Sequence, residues 1–233
     1  MKLLTQFMET FIGYGSFDAS TWFIGQEEAG VRNVQGLLER IAVWRELGCK
    51  SVVDIAHFHE LLGKVDLFGE TPKIQRTWRR LIEIKLVLLG EKKSKHSVRK
   101  YQAEELGRVG GDTLLGELMP LPKPSVKSWP YAELAAELPY MKTQKEYRKT
   151  IGPIRTMLLS DAISKHKPKM VVFYGVTTIA SWEKVAEVSL EEVEEDIFEG
   201  SNGYTRFLVM KHPNTWGVQK SYYKEVEQIA LSR

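Results

Sequence analysis

Short apolar runs alternate along the chain with longer segments of helical periodicity. The apolar runs have the length and the β-branched or aromatic content of buried strands. They predict strands near residues 20–25, 113–119, 169–175 and 205–211. Between them, apolar residues recur at i, i+3 and i+4, which is typical of amphipathic helices. The pattern therefore predicts an α/β fold: a three-layer sandwich with a central, mainly parallel four-stranded sheet and helices on both faces.

The segment from about 51 to 107 is dominated by helical patterns. Its first part, Ser51–Leu62, fits a strand by its β-branched start and a helix by its later apolar stripe. Thr71-Pro72 predicts the start of a long helix, because proline suits the first helical turn. A second, basic helix is predicted from about Ser94 to Leu106. We interpret this block as a helical insertion in a single domain of residues 1–233, since such a length suits one domain.

Charge is nearly balanced over the whole chain, with 33 Lys and Arg against 30 Asp and Glu, but it is unevenly placed. Residues 71–108 contain eleven Lys or Arg against four Glu, whereas residues 183–199 contain eight acids against one Lys. Such runs are usually solvated faces. A basic surface is also the feature by which proteins gain affinity for nucleic-acid phosphates, so DNA is a candidate partner.

Several classes of protein are excluded by composition. The single cysteine, Cys49, excludes a disulfide framework, a four-Cys zinc site and a Cys-ligated iron–sulfur cluster within the chain. His57 and His59 point apart on a helix and have no evident third ligand, so we expect no metal and no cofactor. No apolar run has the roughly 20 residues of a membrane span, and polar residues interrupt the apolar N-terminus. We expect an intracellular, cytoplasmic protein with no membrane partner; its oligomeric state stays open.

Distinctive segments follow the carboxyl ends of the predicted strands, where parallel α/β sheets hold their sites. The first strand runs into Gly25-Gln26-Glu27-Glu28, and the second into a loop rich in proline. The third ends at Gly175, and the last runs into His212-Pro213-Asn214-Thr215-Trp216. Each segment alone is common in proteins without a site there, so the information lies in their order along the chain.

The order of these segments resembles that of the uracil-DNA glycosylase superfamily. WFIGQEEAG is similar to the first motif, LMPLPKPSVKSW to the middle loop, MVVFYG to the third strand and FLVMKHPNTWG to the last, histidine-containing motif. The resemblance covers most of residues 21–233 and omits the helical block. It implies the fold of that superfamily and a role in DNA repair. The implied reaction is hydrolysis of the N-glycosidic bond of a damaged or deaminated base that is flipped out of DNA.

The resemblance also implies roles for individual residues. Glu27 matches the position that orients the attacking water, and His212 matches the donor to the departing base, so both are expected to be catalytic. Trp216 matches a residue that wedges into the duplex where the base has left. The remaining expected site residues are Gly25, Gln26, Glu28, Glu117 and Asn214 around the base, and Pro122, Lys123, Ser125 and Lys211, with Trp216, on DNA.

The chain departs from the family pattern in ways that leave alternatives open. Glu27-Glu28 replaces Asp-Pro or Asn-Pro, Asn214-Thr215 replaces Ser-Pro, and the base-reading Asn has no clear match, with Glu117 nearby. The two acids also suit a helix start, and Trp216 also suits a buried position under the last helix. One alternative function is a non-catalytic module of the same fold that binds a nucleotide or nucleic acid. Another is a Rossmann-like domain that uses its charged segments for protein interaction.

Overall fold

The computed structural model describes residues 1–232, in which strands and helices alternate. The eight strands of this part of the chain are β1 (Gly13–Gly15), β2 (Thr21–Ala29), β3 (Val52–Val53), β4 (Thr113–Lys123), β5 (Met170–Tyr174), β6 (Glu191–Glu194), β7 (Ile197–Ser201) and β8 (Arg206–Met210). Its eight α-helices are α1 (Lys2–Thr10), α2 (Val34–Glu46), α3 (Ile55–Leu61), α4 (Arg76–Leu88), α5 (Lys95–Glu104), α6 (Gln144–His166), α7 (Ile179–Ala186) and α8 (Lys220–Leu231). The α/β class that the sequence predicts is confirmed.

The strands form one mixed sheet in the order β3-β1-β4-β2-β5-β8-β7-β6. Its centre, β4-β2-β5-β8, is parallel and consists of the four strands that the sequence predicts. The expectation of a four-stranded sheet is wrong, because β1 and β3 extend one edge and the antiparallel hairpin β6–β7 extends the other. The strands β1 and β3 are too short to show a period, and β6 is exposed throughout and has Glu at three of its four positions.

The apolar core lies against the central strands. Trp22, Trp44 and Trp182 are fully buried, and the Trp182 ring stacks on Phe173 with 4.8 Å between ring centroids. The helices form two groups, and contacts occur within each group. In the first group α1 contacts α2 and α6, and α6 contacts α7; in the second, α4 contacts α5 and α8. None of the helices within residues 1–232 is both long and apolar enough to cross a membrane.

Strands β2 and β4 continue beyond the ends that the sequence predicts. Gly25, which we expect to stop β2, lies inside it. A Cβ atom at this position would clash with Glu117 Oε2 and the Tyr174 ring, so the glycine provides the space that these groups occupy. Strand β4 passes through Pro120 and Pro122 beyond its pairing with β1, where it is paired on one side only. An edge of this kind tolerates residues that lack an N–H group.

The helical block of residues 51–107 contains α3, α4 and α5. Both elements indicated for Ser51–Leu62 are present, because β3 is followed at once by α3. The predicted helix start at Thr71-Pro72 is wrong: α4 begins at Arg76, and the side chain of Gln75 caps it. The block is placed against the carboxyl ends of the parallel strands, and the site is formed there.

Candidate functional site

The carboxyl ends of the central strands open on a cavity of about 210 Å³, called here the site cavity. Its wall combines the sheet, the last loop and the helical block. The sheet and the last loop contribute Glu27, Glu28, Ala29, Glu117, Tyr174, His212 and Asn214. The helical block contributes His59, Lys64, Leu67, Gln75, Thr77 and Trp78. The two residues expected to be catalytic, Glu27 and His212, thus face the same space.

Glu27 lies within β2, not at a helix start, and both of its carboxylate oxygens are in ion pairs. Its Oε1 is 2.8 Å from Lys123 Nζ, and its Oε2 is 3.2 Å from Arg148 Nη2. The Lys123 side chain is only 1% exposed and also donates to the carbonyl of Val126. Charge-assisted contacts on both oxygens fix the orientation of the Glu27 carboxylate.

The carboxylate of Glu28 is held by a buried cluster that consists of Arg40 and Tyr14. Its Oε2 accepts hydrogen bonds from Arg40 Nη2 and, at 3.0 Å, from the Tyr14 hydroxyl. Arg40 is 3% exposed and donates to the same Tyr14 oxygen at 2.6 Å. Burial raises the pKa of the Tyr14 phenol well above its usual value, so Tyr14 acts as a neutral donor.

Glu117, on β4, has one hydrogen-bonded and one unsatisfied carboxyl oxygen. Its Oε1 accepts from the Tyr174 hydroxyl at 2.9 Å, whereas its buried Oε2 has no hydrogen-bond partner within residues 1–232. Burial, followed by the negative charge of Glu28, raises the pKa of the Glu117 carboxyl well above its usual value. The group therefore keeps its proton to a higher pH than a carboxyl group in water. Because Oε1 already accepts from Tyr174, we assign that proton to Oε2.

The backbone beneath Glu117 is fixed from α6. The side chain of Arg155 is fully buried and donates to the carbonyls of Glu117 and Leu118, at 2.8 and 3.1 Å. These hydrogen bonds occupy carbonyl groups of β4 just past its pairing with β1. The cavity end of β4 is thus held rigidly.

His212 follows β8 and presents a neutral imidazole to the cavity. Its Nδ1 accepts a hydrogen bond from the backbone N–H of Asn214 at 3.1 Å. Burial lowers the pKa of His212, so the neutral ring is favoured, and its single proton is on Nε2. The ring lies 5.5 Å from that of Tyr174, measured between centroids. His212 can therefore donate through Nε2 while remaining uncharged.

The loop that carries His212 is fastened to helices on two sides. Asn214 Nδ2 donates to Thr77 Oγ1 of α4 at 2.8 Å, and the Tyr223 hydroxyl of α8 donates to the carbonyl of Pro213 at 3.3 Å. Trp216 projects from this loop and is 97% exposed. The alternative that Trp216 packs under the last helix is therefore wrong.

Of the three residues expected to contact DNA from the loop after the second predicted strand, only Ser125 is exposed. Pro122 and Lys123 belong to the end of β4 and are buried. Because the Lys123 ammonium group pairs with Glu27, it is not available to a phosphate at the surface. The expectation that these two residues contact DNA is corrected, because both are buried at the end of β4.

Two further residues lie away from their expected positions. Gln26 does not line the site cavity; it faces a separate groove between α6 and α7. Lys211 Nζ is 2.8 Å from Asp196 and lies over the Tyr222 ring. Its charge is therefore used within the protein, which corrects its assignment as a phosphate contact.

Sequence reasoning did not place the aromatic wall of the site. Tyr174 ends β5, and this position at the carboxyl end of a buried strand is the signal that identifies it. His59 and Trp78 belong to the helical block, for which the resemblance offers no counterpart; their rings are 5.7 Å apart. The Nδ1 of His59 is 2.8 Å from the carbonyl of Ile55, and burial lowers its pKa.

The arrangement provides fixed carboxylates, a carboxyl group that retains its proton, and a neutral imidazole. Within residues 1–232, no group of three or more His, Cys, Asp or Glu side chains is arranged to hold a metal ion. The cavity is smaller than the roughly 300–1,000 Å³ of pockets for drug-sized ligands, so it suits a single planar ring. Its side chains can support hydrogen bonding and acid–base chemistry.

Glu117 is expected to make stability depend on pH. Because its pKa is raised on folding, the folded protein binds more protons than the unfolded chain above the usual carboxyl value of about 4.3. The free energy of unfolding should therefore fall as pH rises through this window, and less so for Glu117→Gln. Urea unfolding from about pH 5 to about pH 9 measures this slope. The exposed Glu133→Gln should behave as wild type; an unchanged slope in Glu117→Gln would contradict the prediction.

The fold and the site together define an α/β protein with a small polar and aromatic cavity at the carboxyl edge of its parallel strands. No family model matches the chain, and a comparison with curated proteins finds no match. The function is therefore inferred from the site itself.

Proposed function

We propose that the protein is a uracil-DNA glycosylase-like enzyme that takes a damaged or deaminated base, flipped out of DNA, into the site cavity and hydrolyses its N-glycosidic bond. The observation that carries this proposal is that Glu27 and His212, from different strand ends, line one cavity. In the same proposal, the two groups of helices cover opposite faces of the sheet as the outer layers of a three-layer sandwich.

The side chains suit the charges that develop in this reaction. When the C1′–N bond breaks, its electron pair goes to the base and the sugar becomes cationic. His212 Nε2–H donates to the base where negative charge grows, and the carboxylate of Glu27 orients water and attracts the cationic sugar. Water adds its hydroxyl to C1′, and the proton that it releases passes through solvent to the departing base, which left with the electron pair of the broken bond. The ion pairs of Glu27 fix its carboxylate before the substrate arrives, which is the preorganisation that such a step needs.

The dimensions and walls of the cavity support a base as the occupant. Tyr174, Trp78 and His59 place three rings around a space of about 210 Å³. Stacking of one base on an aromatic side chain contributes about 1–3 kcal/mol. This gain offsets much of the few kcal/mol that unstacking a base from the duplex costs.

The basic segment of residues 71–108 provides fewer free cations than its composition implies. Several of its positive side chains are paired within the protein: Arg79 and Arg80 with Glu83, Lys85 with Asp112, Lys93 with Glu227 and Arg108 with Asp54. Arg76 is exposed at the first turn of α4, next to Thr77 of the site cavity. Arg76 is therefore the cation of α4 best placed to meet a phosphate beside the cavity.

Arg76→Ala is expected to weaken DNA binding and to reduce its dependence on salt. A phosphate contact releases counterions, so losing one should reduce the slope of log K against log salt by about 1. The matched control is Lys165→Ala, which removes an exposed cation from the opposite end of the sheet, near the C-terminus of α6. Fluorescence anisotropy with a labelled duplex at several salt concentrations measures both slopes. Equal slopes for the two variants would remove Arg76 from the DNA surface.

Trp216→Ala is expected to weaken binding to DNA that presents a flipped base by roughly tenfold, since one lost stacking contact is worth about 1–3 kcal/mol. Binding to undamaged duplex should change less, because the wedge acts only where a base has left the stack. Tyr204→Ala is the control: this ring is 70% exposed but precedes β8 at its other end. Competition binding with an abasic-site duplex compares the variants, and equal losses would argue against a wedge.

The proposed reaction is tested with matched duplexes that contain uracil, hypoxanthine or an undamaged base at one position. We expect abasic sites, detected as alkali-labile breaks, only where the base is damaged or deaminated. A wild-type protein that leaves every such base in place would overturn the hydrolytic proposal.

A second candidate function is binding of a base without cleavage. It is favoured by one observation: both oxygens of Glu27 are already in ion pairs, which weakens the negative field available to a cationic sugar. Base or nucleotide binding without any abasic product, in the same duplex assay, would support this function over hydrolysis.

A further inference from the structure

We propose that Glu117 determines which base the site cavity accepts: its Oε2 donates a hydrogen bond to a ring carbonyl when the group is neutral and accepts one from a ring amino group when it is ionised. This inference rests on the proposed function and specifies how the same cavity selects its base. It makes base selection pH-dependent, through a carboxyl group that lies near the position where the base-reading Asn of the family pattern has no clear match.

The geometry leaves Oε2 as the oxygen that needs a ligand. Oε1 is occupied by the Tyr174 hydroxyl at 2.9 Å, whereas Oε2 is buried without a hydrogen-bond partner among residues 1–232. Gly25 of the neighbouring strand leaves room for Oε2 and the Tyr174 ring to lie against its backbone, and Glu117 lines the site cavity. A buried polar atom without a partner costs free energy, and a bound base would supply the missing hydrogen bond.

The two protonation states of Glu117 select opposite hydrogen-bonding groups on the base. Deamination replaces an amino group by a carbonyl at C4 of cytosine and at C6 of adenine, which changes a donor into an acceptor. A neutral carboxyl group places its O–H opposite the ligand, so a carbonyl is accepted, whereas an amino group would leave two donors facing each other. An ionised carboxylate only accepts hydrogen bonds, which reverses the preference toward amino bases.

The surroundings of Glu117 favour its neutral form in the empty cavity. The charged groups nearest to it are Glu28 and Glu27 of β2, which oppose its ionisation, and Arg155 of α6, which favours it less strongly than burial opposes it. Two phenols also face it, Tyr174 of β5 and Tyr14 of β1, and both have pKa values raised by burial. Across the cavity lie His59 and His212, whose pKa values are lowered by burial, and the exposed Lys64.

The test measures binding of free uracil and free cytosine by isothermal titration calorimetry, at about pH 5.5 and about pH 8.5, for the wild type and Glu117→Gln. In the wild type we expect uracil to be preferred by about tenfold at the lower pH, the worth of one hydrogen bond, and the preference to shrink or reverse at the higher pH. Gln keeps a donor at every pH, so Glu117→Gln should prefer uracil equally at both. This variant also controls for titration of the bases themselves.

The outcomes separate this inference from the proposed function. If the wild type shows the same preference at both pH values, or if Glu117→Gln loses the preference for uracil, the inference is overturned even when damaged DNA is still cleaved. If neither free base binds and no damaged DNA is bound or cleaved, the proposed function fails and the inference fails with it. A merely structural role of Glu117 would change affinity for both bases together and would leave their ratio independent of pH.

Discussion

Replacing Glu27 by Gln is expected to lower the free energy of unfolding by about 3 kcal/mol, near the lower limit for breaking a buried ion pair by removing one partner. Stability is lost because Lys123, the ion-pair partner of Glu27, stays buried without its counterion. Lys123 is 1% exposed, and without the carboxylate its ammonium group keeps only uncharged acceptors, among them the carbonyl of Val126 and the amide oxygen of the new side chain. Arg148, whose side chain is 35% exposed, can recover solvent contacts and adds little to the loss.

A double-mutant cycle tests this account of the Glu27–Lys123 pair. Lys123→Met should cost less than Glu27→Gln, because Glu27 then keeps Arg148 as a counterion. The double variant Glu27→Gln/Lys123→Met should be more stable than Glu27→Gln alone, because no buried charge is left without a partner. Urea unfolding gives each free energy. Glu195→Gln, whose side chain is 92% exposed, should change stability by less than about 0.5 kcal/mol. A double variant no more stable than Glu27→Gln would show that the loss has another cause.

The central strands were predictable because each buries a nearly continuous apolar run. Met170–Tyr174 and Arg206–Met210 begin and end within one residue of the predicted limits. The edge strands were not, since their pairing depends on neighbours and not on their own residues. Glu191–Glu194 is exposed along its whole length and turns back at Asp196, whose positive φ of 59° forms the reversal of a hairpin. Such an acidic run is indistinguishable, as a sequence, from a solvated helix face.

The position of the site was predictable from topology, whereas its internal contacts were not. Parallel strands end at one edge of a sheet, so side chains that follow different strands, such as Glu27 and His212, come together across long sequence separations. Nothing in the sequence shows that Lys123 is the counterion of Glu27, because that pairing depends on β4 continuing past its prolines. The contributions of His59 and Trp78 depend on how the helical block packs, which periodicity does not determine.

His212→Ala is expected to slow base excision by about 10²- to 10³-fold, the usual loss when a donor to developing negative charge is removed. The effect should fall on the rate under single-turnover conditions and not on DNA affinity, because the hydrogen bond strengthens only as the glycosidic bond breaks. His57→Ala is the matched control, since His57 is exposed on the outer side of α3 and does not line the site cavity. A rate unchanged in His212→Ala, with abasic sites still formed, would remove His212 from the chemistry.

The pH dependence of the excision rate shows whether His212 acts as a hydrogen-bond donor or only packs against its neighbours. The pKa of His212 is lowered by burial, so the folded protein holds the ring neutral at pH values where an exposed histidine, near 6.5, begins to bind a proton. As pH falls through the lowered value, Nδ1 becomes protonated and faces the N–H of Asn214, so two donors oppose each other and the loop is displaced. Wild-type excision should therefore decline at low pH, and this decline should be absent from the residual rate of His212→Ala. If both proteins lose activity in parallel on acidification, the group that titrates is not His212.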